Sequence, residues 1–435
     1  MNKVGQSLSE EQLLLLANYE YFACSVNKGT IQENIDKLKR DDGSFDMEKV
    51  IAEGATGDII SDEDAVDILK RLEADDRLAS LERTRAINDG GIRATLYTDS
   101  ENKNPTLVFR GTGGTYKAWK DNVLGEYEPD TRLQKVAADF VRYECGDYSG
   151  ITVTGHSKGG NLSQYVTVVC GDQIDRCISY DGQGFGKNFL KEHEEEISIA
   201  KEKIISISGF NDFVNILLTP IAGTVLYVKN QEGLSVDMHS CYTMLSNGSF
   251  DENGAFKRDF GVIPQMPAMT MAKWAGDGIV TIMEALPDEG NEKAANVLAS
   301  WVAAVFSADK SKEFEEQKID EAIKDFKTYS KELLRVSEGE VEIISCCCKE
   351  FRIKAEQAKA LYVTLDNSLN KLRVYPEIVE DILVRLDYSI LGRSFTEHAL
   401  EKVIEKLDRN IRMVERIRDV LGEVIVLYEK ADVLT

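Results

Sequence analysis

Two rhythms of apolar and polar positions run along the 435 residues. In the first, short β-branched runs end in glycine-rich turns and alternate with stretches of helical spacing. In the second, from Asp288 onward, strand-like runs vanish and apolar residues recur at three- and four-residue steps. Residues 1–90 precede the first strands and are expected to be mainly helical. Ser7 to Arg40 has capping serines at Ser7 and Ser9 and acidic Glu10 and Glu11 in its first turn. Leu13, Leu14, Leu16, Ala17, Tyr21 and Phe22 give it apolar faces. After the turn Asp41-Asp-Gly-Ser44, Asp62 to Leu81 forms a second helical region, with Val66, Ile68, Leu69 and Leu72 inward.

The strand pattern begins at Ile92–Tyr97. It continues at Thr106–Phe109, Ile151–Thr154, Arg176–Tyr180, Ile204–Ser208 and Val225–Val228. Between these runs lie the helical stretches Leu133–Tyr143, Leu162–Cys170 and Lys187–Lys203. Strand, glycine-rich turn and helix in alternation specify an α/β fold, with a sheet parallel at least in its centre and flanked by helices. Chemistry is then expected at the C-terminal ends of the strands. Those ends carry Arg110-Gly-Thr112-Gly113-Gly114, Asp181-Gly182-Gln-Gly-Phe185-Gly186 and Gly209-Phe-Asn-Asp212. Gly113 and the Gly182–Phe185 turn are candidates for backbone approach to a substrate; tight turns and close packing are the alternatives.

Phe314–Leu334, Glu340–Leu372, Ile378–Leu386 and Glu397–Leu434 read as long helices, broken mainly at Pro376 and Gly392. Leu407, Ile411, Val414, Ile417, Val420, Leu421, Val424 and Leu427 form one apolar stripe, which a helical bundle or hairpin must bury. The expected organisation is a catalytic domain over 1–288, a linker over 289–312 and an all-α domain over 313–435.

Composition narrows the classes. A net charge of −23 repels a phosphate backbone, which argues against nucleic acid as partner and against simple electrostatic docking on anionic lipid. Met1–Glu11 is polar and Leu13–Leu16 is too short for the apolar core of a signal peptide. No run reaches membrane-span length; Ala294–Ala308 comes nearest. Eight cysteines show no C-x-x-C spacing and histidines number only four, so neither a metal nor another cofactor is expected. The cysteines read as reduced thiols of a protein made in the cytoplasm.

The candidate chemistry centres on Ile151-Thr-Val-Thr-Gly155-His-Ser157-Lys-Gly159-Gly-Asn161. An apolar strand runs into G-x-S-x-G and then into a helical stretch, the pattern of a nucleophile elbow. The serine backbone is strained there, and the glycines two before and two after crowd each other. A serine nucleophile needs a base and an orienting acid. His156 adjoins the serine and is expected to point away from it. His193 sits in a charged helix, where it should be solvated, and His398 lies in the helical half. His239, after the last strand, is left as the base. Asp212 is favoured as the acid and Asp181 is the alternative, since each directly follows a strand. The Lys158 N–H and a group from Arg110–Gly113, with Thr112 able to add its hydroxyl, are candidates for an oxyanion hole.

Phe109-Arg-Gly-Thr112, Gly155-His-Ser-Lys-Gly-Gly-Asn161, Asn211-Asp212 and the later His239 resemble the fungal-type (class 3) lipases of the α/β-hydrolase family. A bacterial lipase-like branch is similar also in its leucine-rich N-terminal helix, the Trp119-Lys-Asp-Asn122 segment and the Gly182-Gln-Gly-Phe185 turn. The resemblance implies a serine esterase acting on phospholipid or acylglycerol at a lipid interface. Its triad would be Ser157, Asp212 and His239, with Thr112 and Lys158 at the oxyanion hole. The chain departs from the pattern at Lys158, where a small or apolar residue is usual, and at Gln183, where proline is. In length and acidity the helical half resembles the LXG and WXG-like targeting domains of type VII secretion. That would imply a secreted antibacterial toxin with small helical secretion partners and an immunity protein; an oligomerisation or regulatory domain is the alternative.

Overall fold

The computed structural model describes residues 7–54, 60–89, 91–100, 104–113, 116–209, 212, 214–215, 218–228, 239–246 and 250–256. Further along it describes positions 293, 320–321, 324–325, 328, 336–337, 340–341, 359, 362–363, 366, 370, 373, 411–412, 415, 418–419, 422 and 425–426. The chain divides into two compact units, Met1–Asp277 and Gly278–Thr435.

Ser9 starts the first helix, α1 (Glu10–Tyr19), through a capping box. Its hydroxyl accepts from Gln12 N–H and the Gln12 side chain accepts from Ser9 N–H. Leu13 to Ala17 are all buried, so α1 is a core helix, packed across three central strands. Short helices follow: α2 (Ile31–Asp36), α3 (Met47–Ala52), α4 (Asp62–Ala74) and α5 (Asp76–Ala79). Thr30 caps α2 through the same kind of box with Glu33, and the Ser61 hydroxyl caps α4 by accepting from Asp64 N–H. Ser7–Arg40 is therefore not one helix. A 3-10 turn at Ala23–Val26 and the capping threonine divide it.

The sheet has seven strands in sequential order: β1 (Glu82–Asp89), β2 (Ile92–Thr98), β3 (Thr106–Phe109), β4 (Ile151–His156), β5 (Ile174–Tyr180), β6 (Ile204–Gly209) and β7 (Thr224–Val228). β1, β2 and β3 pair antiparallel, and β3 through β7 pair parallel. β1 escaped the sequence reading because Glu82-Arg-Thr-Arg-Ala-Ile-Asn-Asp is polar. It is an edge strand, intermediate to exposed along its length, and pairs through its backbone alone on one side.

Alternation along the strands fills two cores. Val108, Ile178, Tyr180 and Ile207 face α1 to α5 and the later helix α11 (Cys241–Ser246). Leu107, Phe109, Val153 and Cys177 face the other layer, made of α6 (Tyr116–Leu124), α7 (Arg132–Asp139), α8 (Lys158–Val169), α9 (Lys187–Glu192) and α10 (Glu194–Ala200). The predicted helix Lys187–Lys203 breaks at His193, which ends α9 and begins α10. His193 is half-buried rather than fully solvated: its Nε2 lies 2.9 Å from Asp130, and its ring packs against Phe189. The five described cysteines are buried free thiols.

In the second unit, Val336–Ser337 (β8) and Glu340–Val341 (β9) pair antiparallel, so the helix expected to start at Glu340 does not include its first two residues. The predicted linker, Ile378–Leu386 and His398 lie wholly or almost wholly outside the described residues. Among the described residues no helix is long and apolar enough to cross a membrane.

Candidate active site

β4 delivers Ser157 and α8 begins at the next residue, four positions earlier than the apolar spacing predicts. Ser157 has φ 58° and ψ −123°, a left-handed conformation that costs a β-carbon residue about 1–3 kcal/mol. The turn is tight because two glycines touch. A Cβ on Gly155 would lie 2.5 Å from the Gly159 carbonyl carbon and from Phe109 O. A Cβ on Gly159 would collide with the same Phe109 oxygen. Ser157 N–H donates to Tyr180 O at 2.9 Å, which fastens the elbow to β5.

Ser157, His239 and Asp212 meet. The Ser157 hydroxyl donates to His239 Nε2 at 2.8 Å, and His239 Nδ1–H donates to Asp212 Oδ1 at 2.9 Å. All three are buried, Asp212 completely. Asp212 also accepts the N–H of Val214 on Oδ1 at 3.0 Å and that of Asn215 on Oδ2 at 3.3 Å. Burial raises the Asp212 carboxyl, but the imidazole of His239 and these hydrogen bonds outweigh it and hold it below the usual range. The acid therefore stays ionised beside the histidine.

His156 packs beside His239. Its ring lies 4.6 Å from the His239 ring, centroid to centroid, and its Nδ1 is 2.8 Å from the Tyr21 hydroxyl. Complete burial, with His239 alongside, pushes the His156 imidazole well below its ordinary value, so it stays neutral. Tyr21 comes from the residues following α1 and also abuts Gly111. Arg93 Nη1 donates to the carbonyls of Glu20, Tyr21 and Phe22, stabilising the negative end of α1. The N-terminal helix thus reaches the elbow through Tyr21.

Lys158 is the first residue of α8, so its N–H precedes the helix's own hydrogen-bond ladder and is available at the positive helix end. Its side chain is buried and reaches Asp121 of α6 at 2.8 Å, a charge pair rather than an aligned hydrogen bond. Asp121 also accepts from the Thr131 hydroxyl and from Leu133 N–H, which joins α6 to the start of α7. Asn122 Nδ2 donates to Thr112 Oγ1 at 2.8 Å, leaving the Thr112 hydroxyl proton for another acceptor.

Gly182 is wedged against Gly160 and Asn161. Phe185 is in the core, stacked on Phe189 at 4.1 Å. Both hold the turn after β5 by packing, and Asn161 Nδ2 adds bonds to the Gln183 and Gly184 carbonyls. Gly113 packs against the Arg110 guanidinium. Asp181 and Asp212, the two candidate acids, lie together. Asn215 Nδ2 is 3.1 Å from Asp181 Oδ1 and 3.4 Å from Asp212 Oδ2. One donor atom each of His156, Asp181 and His239 fall within 4.8 Å of one another. Both His239 nitrogens are already bonded, so a cation there would have to displace the serine or the aspartate.

Tyr21, Asp121, Asn122 and Asn215 were not singled out by residue type. Asp121 and Asn122 carried a faint signal as part of the Trp119–Asn122 segment; Tyr21 and Asn215 carried none, because their roles depend on distant partners.

A family model described as Mbeg1-like, a lipase-like family, matches residues 89–257, less than half of the chain. The matched span runs from the end of β1 past α11 and includes Thr112, Ser157, Lys158, Asp212 and His239. No curated protein matches the chain.

Proposed function

We propose that the chain is a serine hydrolase that cleaves carboxylic esters of lipids. The observation that carries this reading is the unbroken pair of hydrogen bonds from Ser157 Oγ to His239 and from His239 to Asp212. A lipase-like family match over the same residues supports it. Ser157 Oγ attacks the ester carbonyl as its proton passes to His239 Nε2. Asp212 holds the imidazole with Nδ1 protonated and stabilises the imidazolium that forms. The Lys158 N–H and the Thr112 hydroxyl stabilise the oxyanion. His239 then protonates the departing alcohol, and water, deprotonated by the same nitrogen, releases the acid.

Phospholipids and acylglycerols are the substrate classes to test. Purified full-length chain is offered short- and long-chain esters, phospholipid vesicles, a triacylglycerol emulsion, a thioester and a peptide. The expected result is release of fatty acid from the lipid esters, reduced by about 10⁴-fold or more in Ser157→Ala. A wild type that cleaves only the peptide or thioester replaces this reading with another acyl transfer. A Ser157→Ala variant as active as wild type ends it.

A further inference from the structure

Asp181 is a buried carboxyl group of the site that the proposed mechanism leaves unused. It occupies the first position after β5 with φ 46°, a conformation a glycine would hold without strain. The aspartate keeps a carboxyl group there, 1 % exposed and facing Asp212.

Three of the four oxygens in this pair of carboxyl groups have donors. Asp181 Oδ1 accepts from Gly209 N–H at 2.6 Å and from Asn215 Nδ2. Asp212 Oδ1 accepts from His239 and Val214, and Asp212 Oδ2 accepts from the Asn215 backbone and side chain. The fourth, Asp181 Oδ2, meets no N–H or hydroxyl donor among the described residues. An ionised oxygen in that position would be buried and uncompensated next to a second negative charge. A protonated one would have an acceptor in the Asp212 carboxylate, with which the Asp181 side chain is in hydrogen-bonding contact.

We propose that Asp181 is a positioning residue: it stands as a neutral carboxylic acid whose Oδ2–H donates to the Asp212 carboxylate and fixes the group that orients His239. The inference rests on reading Ser157, His239 and Asp212 as an acyl-transfer triad. Burial, the Asp212 charge and the hydrogen bond to Asp212 all push the Asp181 carboxyl well above the usual range, and the same bond helps hold Asp212 down. The other titratable groups around Asp181 are His239, His156, Tyr21 and Cys241. Burial holds Tyr21 and Cys241 neutral and His156 uncharged, so the charge beside Asp181 is that of Asp212, with the His239 imidazole bonded to it.

The test uses the full chain and a fluorophosphonate, whose rate of reaction with Ser157 needs no knowledge of the natural substrate. The pH dependence of that rate is measured for wild type, Asp181→Asn and Asp181→Ala. Asn is neutral and keeps a donor, so the expected rate is within about 3-fold of wild type, with the acid limb unmoved. Ala removes the donor, and a loss of about 10-fold or more is expected. If Asp181 were ionised, Asp181→Asn would remove a negative charge beside His239 and move the acid limb down by about one pH unit, overturning the proposal. If the Ala variant does not fold, the Asn variant still decides. Infrared difference spectra supply a second readout: buried Glu20 gives a protonated-carboxyl band in both proteins, so the expected result is additional protonated-carboxyl intensity in wild type minus Asp181→Asn at neutral pH, and no such difference refutes the neutral acid. If Ser157→Ala labels like wild type, the triad reading itself falls. If that control is inert, only the Asp181 variants judge this inference.

Discussion

The serine end and the acid–histidine end of the candidate site are built by different physics. Ser157 is held by exclusion of space: Gly155, Gly159 and Phe109 O are in contact, and α8 behind them is buried along its length. His239 and Asp212 are held by hydrogen bonds and charge, on residues following β7 and β6 that are anchored through Val214, Asn215 and Asp181. The serine turn therefore tolerates almost no change in volume around it. Asp212 and His239 tolerate shape-preserving changes but not changes in proton or charge. Packing sets where the hydroxyl is, and the polar cluster sets what it can do.

Substitutions that separate the two ends test this contrast. Asp212→Asn keeps the volume and removes the charge; about a 10⁴-fold loss in kcat is expected, with a melting temperature within a few degrees of wild type. Rates and thermal melts on one preparation check it, and a collapse of the fold would show that the acid end is also held by packing. Gly159→Ala does the reverse. One methyl group against backbone in a turn that cannot relax is expected to cost several kcal/mol and most of the soluble protein. A stable, correctly folded Gly159→Ala protein would contradict the steric account of the elbow.

Lys158→Met lies between these cases, since it leaves Asp121 buried without its counter-charge. Denaturant unfolding should show a loss of about 3–5 kcal/mol, partly regained when Asp121→Asn is added.

The smallest effect concerns the helix support beneath the elbow. Burial pushes the Glu20 carboxyl up to about 8. Glu20 is thus protonated in the fold and, above about pH 4.3, ionised in the unfolded chain. Its contribution to stability is complete below that pH, declines as pH rises and is lost through about 8. Glu20→Gln should flatten this decline, gaining on the order of a few kcal/mol relative to wild type between pH 5 and pH 8. A chemical-denaturation series across that range measures it.

The two ends also differed in how far residue types alone disclosed them. The elbow is local: a β-branched strand, two glycines and a serine define it within a few residues, and chain order then directed attention to Asp212 and His239. The α/β class and the parallel strands followed from β-branched runs that end in glycine-rich turns and alternate with helical stretches. What escaped depends on tertiary partners. β1 is polar because it is an edge. α6 and α11 carry no long amphipathic stripe. The contacts of His156 with Tyr21, 135 positions earlier in the chain, and with His239 leave no mark in the local spacing. Asp181 and Asp212 were weighed as alternatives, since nothing in their spacing shows that one Asn215 amide serves both.

The central claim is that Ser157, activated through His239 and Asp212, performs acyl transfer. Reaction of the intact protein with a fluorophosphonate, followed by mass spectrometry of the labelled peptide, tests it most directly. The account predicts one label per chain on Ser157, none in Ser157→Ala, and labelling slowed by about 10³-fold or more in His239→Ala. Labelling at another residue, or a His239→Ala protein that labels as fast as wild type, would contradict it.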